Sequence, residues 1–366
     1  MKIELITLHR VTNFGSLLQT YATQRVLFQM GYEVETIDFV PEGLSFRRAI
    51  WPKGYGYLKK AVKLLPNIIV NTVQYCMVDK FLKKEITLSL KRYHRYQQLM
   101  QDIPNADIYI SGSDQLWNTQ NNNPPDDLKA YYLQFVPNNT KKIAYAGSFG
   151  RYDFSETEKK EIYKWLNEYK AVSVREKDAV DFLNNMGICD VAHVLDPTML
   201  LNKNEWSSFI KKSRPNYKYV FVYNLNRNKK IEELAKKIKE IKGIEIVNFA
   251  DTFEFIYGAK NKMFNSPKNL LYYIYYAEYV VTDSFHGTVF SINFNKNFFT
   301  YDAPRFNSRL ESVLNKFNLK QERYIRSVED GVDRLNDEID WTNVNQILDI
   351  EREYSMSYLR KALSNE

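Results

Sequence analysis

The chain is short of the residues from which several kinds of site are built. Its 366 residues include two cysteines, Cys76 and Cys189, far apart in sequence. That excludes a disulfide framework, a Cys-rich zinc site and a thiol redox pair, and it suits a reducing compartment. Four histidines, His9, His94, His193 and His286, show no paired ligand spacing, so no metal is expected; no cofactor is expected either. Glycine, with 13 residues, stands at roughly half its usual share of about 7%, which excludes collagen-like and low-complexity architectures. There is no Gly-x-Gly-x-x-Gly, no Walker loop and no His-Glu-x-x-His. Asp-x-Asp is also missing, which argues against a metal-dependent nucleotide-sugar site of that type. Gly54 and Gly56, in Gly-Tyr-Gly-Tyr, read as a turn between helices rather than a phosphate loop.

Long apolar runs are missing too. The uncharged stretch from Leu64 to Val78 contains Pro66, Asn67, Asn71 and Gln74 and falls short of the roughly 20 apolar residues that span a bilayer. The opening MKIELITLHR places Glu4, His9 and Arg10 where a secretory signal needs an unbroken apolar stretch. The expectation is a cytoplasmic protein, in which the Asn138-Asn139-Thr140 sequon has no consequence.

What is present is an ordinary globular composition, 44% hydrophobic and 26% charged, at a length that suggests two domains. The net charge of +7 is unevenly spread. Between Arg47 and Met100 twelve Lys or Arg face only Asp79 and Glu85, a local balance of +10, while the remainder sums to −3. Trp51, Tyr55, Tyr57, Leu64, Leu65, Ile68, Ile69, Tyr75, Phe81 and Leu82 interleave with those charges. Such a mixture suits a helix lying in an anionic headgroup interface, or a polyanion such as nucleic acid. It equally suits a helical lid with its apolar face on the core and its lysines solvated.

Along the chain, apolar runs alternate with helix-period segments. A strand at Lys2 to Leu8 precedes a helix from Ser16 to Met30, on which Leu18, Ala22, Val26 and Met30 share a face before Gly31 stops it. Further strands are expected at Glu33 to Phe39, Asp107 to Ser111, Lys141 to Tyr145, Ala171 to Val174 and Val191 to Leu195, with a helix from Ser155 to Tyr169. The pattern restarts with a strand at Tyr217 to Tyr223, a helix from Arg227 to Lys242, and strands at Ile244 to Phe249 and Tyr279 to Asp283. A final amphipathic helix is expected from Thr342 as N-cap through Leu359. Strand-helix alternation means mostly parallel sheets in two α/β domains. The boundaries are drawn at 1–205, with a basic helical insertion at about 47–100, and 206–366.

In open parallel sheets ligands bind beyond the carboxyl ends of strands, and the residues there are unusually polar. They include His9, Arg10 and Asn13 to Ser16; Ser111 to Gln115 with Trp117; Gly147-Ser148; Arg175-Glu176; Asp196-Pro197-Thr198; and Asp283 to Thr288. Two Rossmann-like domains facing a cleft would bring these turns together. Arg175 ends a strand and opens a helix, where its fixed cation suits a carboxylate or phosphate; alternatively it pairs with Glu176 or Asp178. His286 stands where it can move protons near neutral pH.

Six of these motifs, in this order, resemble the polysaccharide pyruvyl transferase family: Asn13 to Gln19, Gly112 to Asn118, Tyr145 to Gly150, Ser173 to Glu176, Leu195 to Thr198 and Thr282 to Gly287. The resemblance covers about residues 1 to 310 and implies a GT-B-like pair of Rossmann-type domains. It further implies transfer of a pyruvyl group from phosphoenolpyruvate to two hydroxyls of one sugar, forming a cyclic ketal and releasing phosphate. Phosphoenolpyruvate is then a co-substrate, and the residues expected to bind it are Arg175, Ser284, Phe285, His286 and Gly287, with Arg305 or Arg309 as a further cation. His286 is the expected general acid. Asp114 is a base or a helix cap, and His9, Asn13, Gln115 and Asp283 are expected at the acceptor. The acceptor is expected on a polyprenyl phosphate carrier, with 47–100 on an anionic membrane surface and no nucleic acid partner. A GT-B glycosyltransferase using a nucleotide sugar, and a non-enzymatic polyanion- or membrane-binding protein, are the alternatives.

Overall fold

The computed structural model describes residues 1–44, 57–118, 125–250, 255–303 and 307–364. The chain divides into two compact units, Met1–Leu200 with Glu353–Glu366, and Leu201–Arg352. In the first unit seven described strands form one parallel sheet: β1 (Lys2–Ile6), β2 (Glu33–Phe39), β3 (Leu88–Tyr93), β4 (Ile108–Ser111), β5 (Lys141–Gly147), β6 (Ala171–Val174) and β7 (Ala192–His193). Their spatial order is β3-β2-β1-β4-β5-β6-β7. The second unit repeats the arrangement with β8 (Tyr219–Tyr223), β9 (Glu245–Phe249), β10 (Lys260–Lys262), β11 (Tyr279–Thr282), β12 (Asn297–Tyr301) and β13 (Tyr324–Ile325), in the order β10-β9-β8-β11-β12-β13.

Both sheets therefore fold as Rossmann-like units. Every residue of β4 and β8 is buried, as expected of parallel strands covered by helices on both faces. The helices lie where the 3.6-residue pattern puts them. Lys229–Lys242 buries Ile231, Leu234, Ala235 and Ile238 and exposes Lys229, Lys230 and Lys237, is capped by Asn228, and ends at Gly243 in the left-handed region. Several predicted ends move by a few residues, and two of the shifts have a visible cause. β1 stops at Ile6 rather than Leu8 because Thr7 leaves the ladder and its hydroxyl donates to the Ser113 carbonyl. The last helix runs Trp341–Leu363, and Asp340, not Thr342, accepts the early amide, from Asn343.

The basic segment is helical over Tyr57–Glu85 but is no insertion outside the sheet, since it also carries β3. Its helix is the crossover from β2 to β3, and β3 pairs in parallel with β2. Arg47 to Gly56, with Trp51, lie outside the described residues. Further on, Val70, Gln74, Val78, Phe81 and Leu82 recur at helical spacing and are buried, while Lys80, Lys83 and Lys84 are exposed. Over these side chains the solvated-lid reading holds.

The chain's last turns also depart from the sequence reading, which put all of 206–366 in the second domain. From Glu353 they count with the first unit, since Ser355 accepts the Leu195 amide and the Tyr358 hydroxyl donates to the Ala144 carbonyl.

One charged cluster ties the edge of the first sheet. Asp38, near the end of β2, accepts from Arg10 Nε at 2.6 Å and Nη2 at 2.9 Å, lies 3.0 Å from His9 Nε2, and accepts from Arg92 at 2.9 Å. Arg10 reaches on to Asp79 of the crossover helix at 3.1 Å. Burial pushes the Asp38 carboxyl up, but donation from His9, Arg10 and Arg92 outweighs it and leaves it well below the usual carboxylate range. A depressed folded value means that the stabilisation is complete above the unfolded pKa of about 3.9 and is lost as pH falls through the folded one. Asp38→Asn should cost about 3 to 5 kcal/mol at neutral pH, the usual effect of breaking a buried pair. Urea unfolding should show that gap narrowing only in acid below that unfolded value; a gap constant with pH would remove Asp38 from this role.

Candidate active site

In the first sheet the strand order reverses between β1 and β4, so the loops after these two strands diverge there and leave a crevice. The loop after β1 carries His9 to Ser16 and the loop after β4 carries Gly112 to Trp117. Asp114 stands between them. Its backbone lies in the left-handed region at φ 85°, its Oδ1 accepts the Gln115 amide at 2.8 Å, and its Oδ2 accepts the Ser16 hydroxyl in a short contact. An aspartate holds such a conformation when its own carboxylate is anchored.

Arg175 follows β6 and is fully enclosed, its side chain 1% exposed. Nη1 is 2.6 Å from Asp196 and 3.2 Å from the Ser113 hydroxyl, Nε is 3.2 Å from Glu176, and Nη2 is 3.6 Å from Asp114. Burial works against the cation, and Asp196, Glu176 and Asp114 together outweigh it, so the guanidinium is held more firmly protonated than usual. The carboxylates are themselves supported. Thr198 donates its amide and hydroxyl to Asp196, and Ser148 donates to Glu176 at 2.7 Å. The expected open cation for a donor anion is thus met by three carboxylates already in place. Of the two structural partners the sequence suggested, Glu176 is one; Asp178 is replaced by Asp196 and Asp114.

The expected acceptor residues of this unit have local duties. His9 is buried, with Nδ1 2.9 Å from the Thr7 carbonyl and Nε2 on Asp38, so the burial and bonding that fix its ring keep it from a sugar. Asn13 is exposed and caps the helix Phe14–Gln29 by accepting the Gly15 amide at 3.0 Å. Gln115 abuts Gly150, where a side chain would meet its amide at 2.4 Å. Trp117 belongs to the core, stacked on Tyr132 at 5.3 Å with Gly147 against its ring.

The second sheet reverses between β8 and β11, and the loops after these strands meet in the same way. Asp283 follows β11 and accepts the Leu225 amide at 2.8 Å and the backbone and side-chain amides of Asn226, each at 2.9 Å. Burial pushes this carboxyl up, against those three bonds. Its expected place at the acceptor is therefore corrected: its carboxylate binds the loop after β8. Thr282 completes the turn, donating to the Tyr223 carbonyl at 2.6 Å and accepting the Ser284 amide at 3.0 Å.

That turn launches the helix Phe285–Asn293, capped by Ser284, whose hydroxyl accepts the Gly287 amide at 3.3 Å. Ser284, Phe285, His286 and Gly287 are all buried in its first turn. Arg309 sets its guanidinium over the Phe285 ring at 5.8 Å, and that ring lies edge-on to His286 at 5.2 Å. The structure so brings Arg309 to the His286 segment, while Arg305 lies outside the described residues. Sequence reasoning missed the Asn224 to Asn226 loop and the Thr282 hydroxyl. The loop's position directly after β8 was the available signal. Among the described residues, no three His, Cys, Asp or Glu side chains group as a metal ion would require.

Two Rossmann-like units, each with polar turns at its switch point, define the GT-B-like class. Solved structures agree in fold. A candidate UDP-N-acetylglucosamine 2-epimerase from Listeria monocytogenes aligns with a TM-score of 0.60 at 10% identity, over 100% of this chain and 97% of that one. The UDP-GlcNAc 2-epimerase from Methanocaldococcus jannaschii aligns at 0.54 and 13%, over 97% and 99%. The Neisseria meningitidis UDP-GlcNAc 2-epimerase aligns at 0.54 and 8%, over 99% of each chain. No curated protein matches the chain in sequence. The family model for polysaccharide pyruvyl transferases matches residues 13–302. The chain belongs to that family of enzymes, whose reaction is pyruvyl transfer to polysaccharide.

Gly287 offers a direct test of the turn. A Cβ there would lie 2.6 Å from Thr282 Oγ1 and 3.1 Å from its methyl, and Thr282 cannot yield without releasing Tyr223 and Ser284. Gly287→Ala should therefore destabilise by about 1 to 3 kcal/mol through overpacking, against the gain of about 1 kcal/mol that alanine ordinarily brings to a helix. A neutral or higher melting temperature would show that the turn is not held as described.

Proposed function

We propose that this protein transfers the pyruvyl group of phosphoenolpyruvate to two hydroxyls of one sugar in a lipid-linked polysaccharide precursor, forming a cyclic ketal and releasing inorganic phosphate. The observation that carries the donor assignment is the first turn of Phe285–Asn293, where a buried histidine lies beside an arginine-covered phenylalanine at a switch point. The donor is a carboxylate and a phosphate on three carbons, and it needs a fixed cation and a proton source rather than a redox group.

The reaction balances with protons alone. One sugar hydroxyl adds to C2 of the enol while C3 gains a proton; the bond from C2 to the phosphate oxygen then breaks, and the second hydroxyl closes the ring. Of the two hydroxyl protons, the methyl group keeps one and the departing phosphate takes the other. In this reading His286 supplies the proton, with Ser284, Phe285 and Gly287 shaping its surroundings and Arg309 countering the donor's charge. Asp114, anchored by Ser16 and Gln115, is the base for the first hydroxyl. Arg175 then serves as a positioning residue that holds Asp114 and Asp196. Gln115 stays at the acceptor, with Asn13 orienting the loop after β1.

Phosphoenolpyruvate at one hundred times its Kd should stabilise the protein by about 2.7 kcal/mol, and Arg309→Ala should remove most of that shift. His286→Gln should lower acceptor-dependent phosphate release by about 10²- to 10⁴-fold while the donor-induced shift survives. A nucleotide sugar that stabilises where phosphoenolpyruvate does not would transfer the assignment to glycosyl transfer.

The lipid-linked acceptor calls for approach to a membrane. No helix among the described residues is long and apolar enough to cross one. The crossover helix Tyr57–Glu85 buries Val70, Val78, Phe81 and Leu82 and leaves Ile69 exposed, so its contact with lipid would be mainly electrostatic, at about 1 kcal/mol per lysine near an anionic surface. Replacing Lys59, Lys60, Lys63, Lys83 and Lys84 by Glu should abolish sedimentation with anionic vesicles and leave neutral vesicles indifferent. Unchanged sedimentation would reject the docking helix.

A further inference from the structure

The carboxyl edge of the second sheet carries another polar cavity, away from the His286 turn. β12 and β13 pair with Thr300 opposite Tyr324 and Tyr301 opposite Ile325, and Thr300 lies opposite Thr282 of β11. Ser284, Asp302 and Arg326 consequently leave the three strands at one level, and with strands spaced by roughly 4.8 Å the first and last of these are about 10 Å apart. Around Arg326 opens a cavity of about 560 Å³. Its walls are the helix end at Asn315, the turn at Lys320 and Gln321, the ring of Tyr324, and Asp330 with Arg334. No aliphatic side chain lines it.

We infer that this cavity is an oxyanion site for a phosphate or diphosphate group. Three cations, Lys320, Arg326 and Arg334, line it against one carboxylate, Asp330. That carboxylate is already taken by Arg334 Nε at 2.6 Å, and Lys320 is paired with Glu311 at 2.5 Å outside the lining. The Arg326 guanidinium makes no hydrogen bond or ion pair with a described residue, although its backbone is fixed on both sides: its amide donates to Asp330 and its carbonyl accepts from Lys230 at 2.8 Å. An arginine anchored by its main chain, with its fork presented to a polar cavity, has the geometry for bidentate recognition of phosphate oxygens. The side-chain amides of Asn315 and Gln321 supply further neutral donors. A lining with three cations, two side-chain amides and a single aromatic ring is poor for a lipid tail and suits a small, highly charged group.

On the proposed reaction, this is where the acceptor's phosphate or diphosphate linkage would rest while the His286 turn handles the donor. That placement depends on the proposed function; oxyanion binding at Arg326 does not. The test uses the full chain and three probes at matched ionic strength: inorganic phosphate, pyrophosphate and sulfate. Pyrophosphate should raise the melting temperature in addition to a saturating phosphoenolpyruvate shift, and bind at least tenfold more weakly to Arg326→Glu and measurably more weakly to Gln321→Ala. The phosphoenolpyruvate shift itself should be unchanged in both variants. Equal stabilisation by sulfate, equal pyrophosphate affinity in Arg326→Glu, or complete competition with phosphoenolpyruvate would each overturn the site. Tight pyrophosphate binding in a protein that ignores phosphoenolpyruvate would sustain the cavity and remove the donor assignment instead. Tighter phosphate than pyrophosphate binding would limit the occupant to a monophosphate and reject the diphosphate linkage.

Discussion

The contact between Arg175 and Asp196, 2.6 Å long and buried at both ends, is the constraint around which the first unit's functional edge is organised. Two charges taken out of water gain little from one another unless their remaining donors and lone pairs are also satisfied. Here the surplus bonds recruit the neighbouring turns. Ser113, after β4, bridges the pair; Glu176, after β6, takes Nε; Thr198, at the next helix start, takes the second oxygen of Asp196. Three post-strand segments are thereby fixed by one guanidinium. Asp114 inherits this rigidity through its contact with Nη2 and through Ser16, which is how a non-glycine residue is kept at positive φ.

The second unit reaches the same rigidity by other means. Its switch-point turn is held by one carboxylate bonded to three amides and by a hydroxyl that both donates and accepts. No cation is used up in tying Asp283. The fixed arginines on this edge, Arg309 over Phe285 and Arg326 at the polar cavity, are thus set apart from the turn's own scaffolding. The Thr282 hydroxyl leaves no room for a side chain at position 287, so the glycine of the motif has a steric origin.

Most of the architecture is legible in the sequence because parallel strands buried on both faces write continuous apolar runs, and Glu33–Phe39 and Ala171–Val174 keep their expected bounds. What escapes reading is short, or hidden by its surroundings. β3 lies inside the basic segment as Leu-Ser-Leu-Lys-Arg-Tyr, so its charge masks its pairing with β2. β13 has two residues, too few for any period to register. At the site, position after a strand picks out Ser113, Asp114, Arg175, Glu176 and Asp196, which meet, but does not say with what each pairs. Arg175 reads from the sequence as a ligand cation because its three carboxylates come from turns as far apart as Asp114 and Asp196. Asp283 reads as an acceptor-site residue because the amides that claim it belong to a loop some sixty positions earlier.

The two edges therefore carry different electrostatic surroundings. On the first unit Asp38, Asp114, Glu176 and Asp196 are matched by Arg10, Arg92 and Arg175, a closed set whose charges are spent on holding turns. Such an edge repels a multiply charged group and favours a neutral, hydroxyl-bearing one, since carboxylates fixed in position accept from hydroxyls without having to reorganise. On the second unit the loop carboxylate is satisfied by neutral amides, and the arginines face an aromatic ring and a polar cavity. The first surrounding suits groups that donate hydrogen bonds, and the second suits anions such as phosphate. A chain that built its two Rossmann-like units with the same strand order but opposite means of fixing their turns supplies one of each.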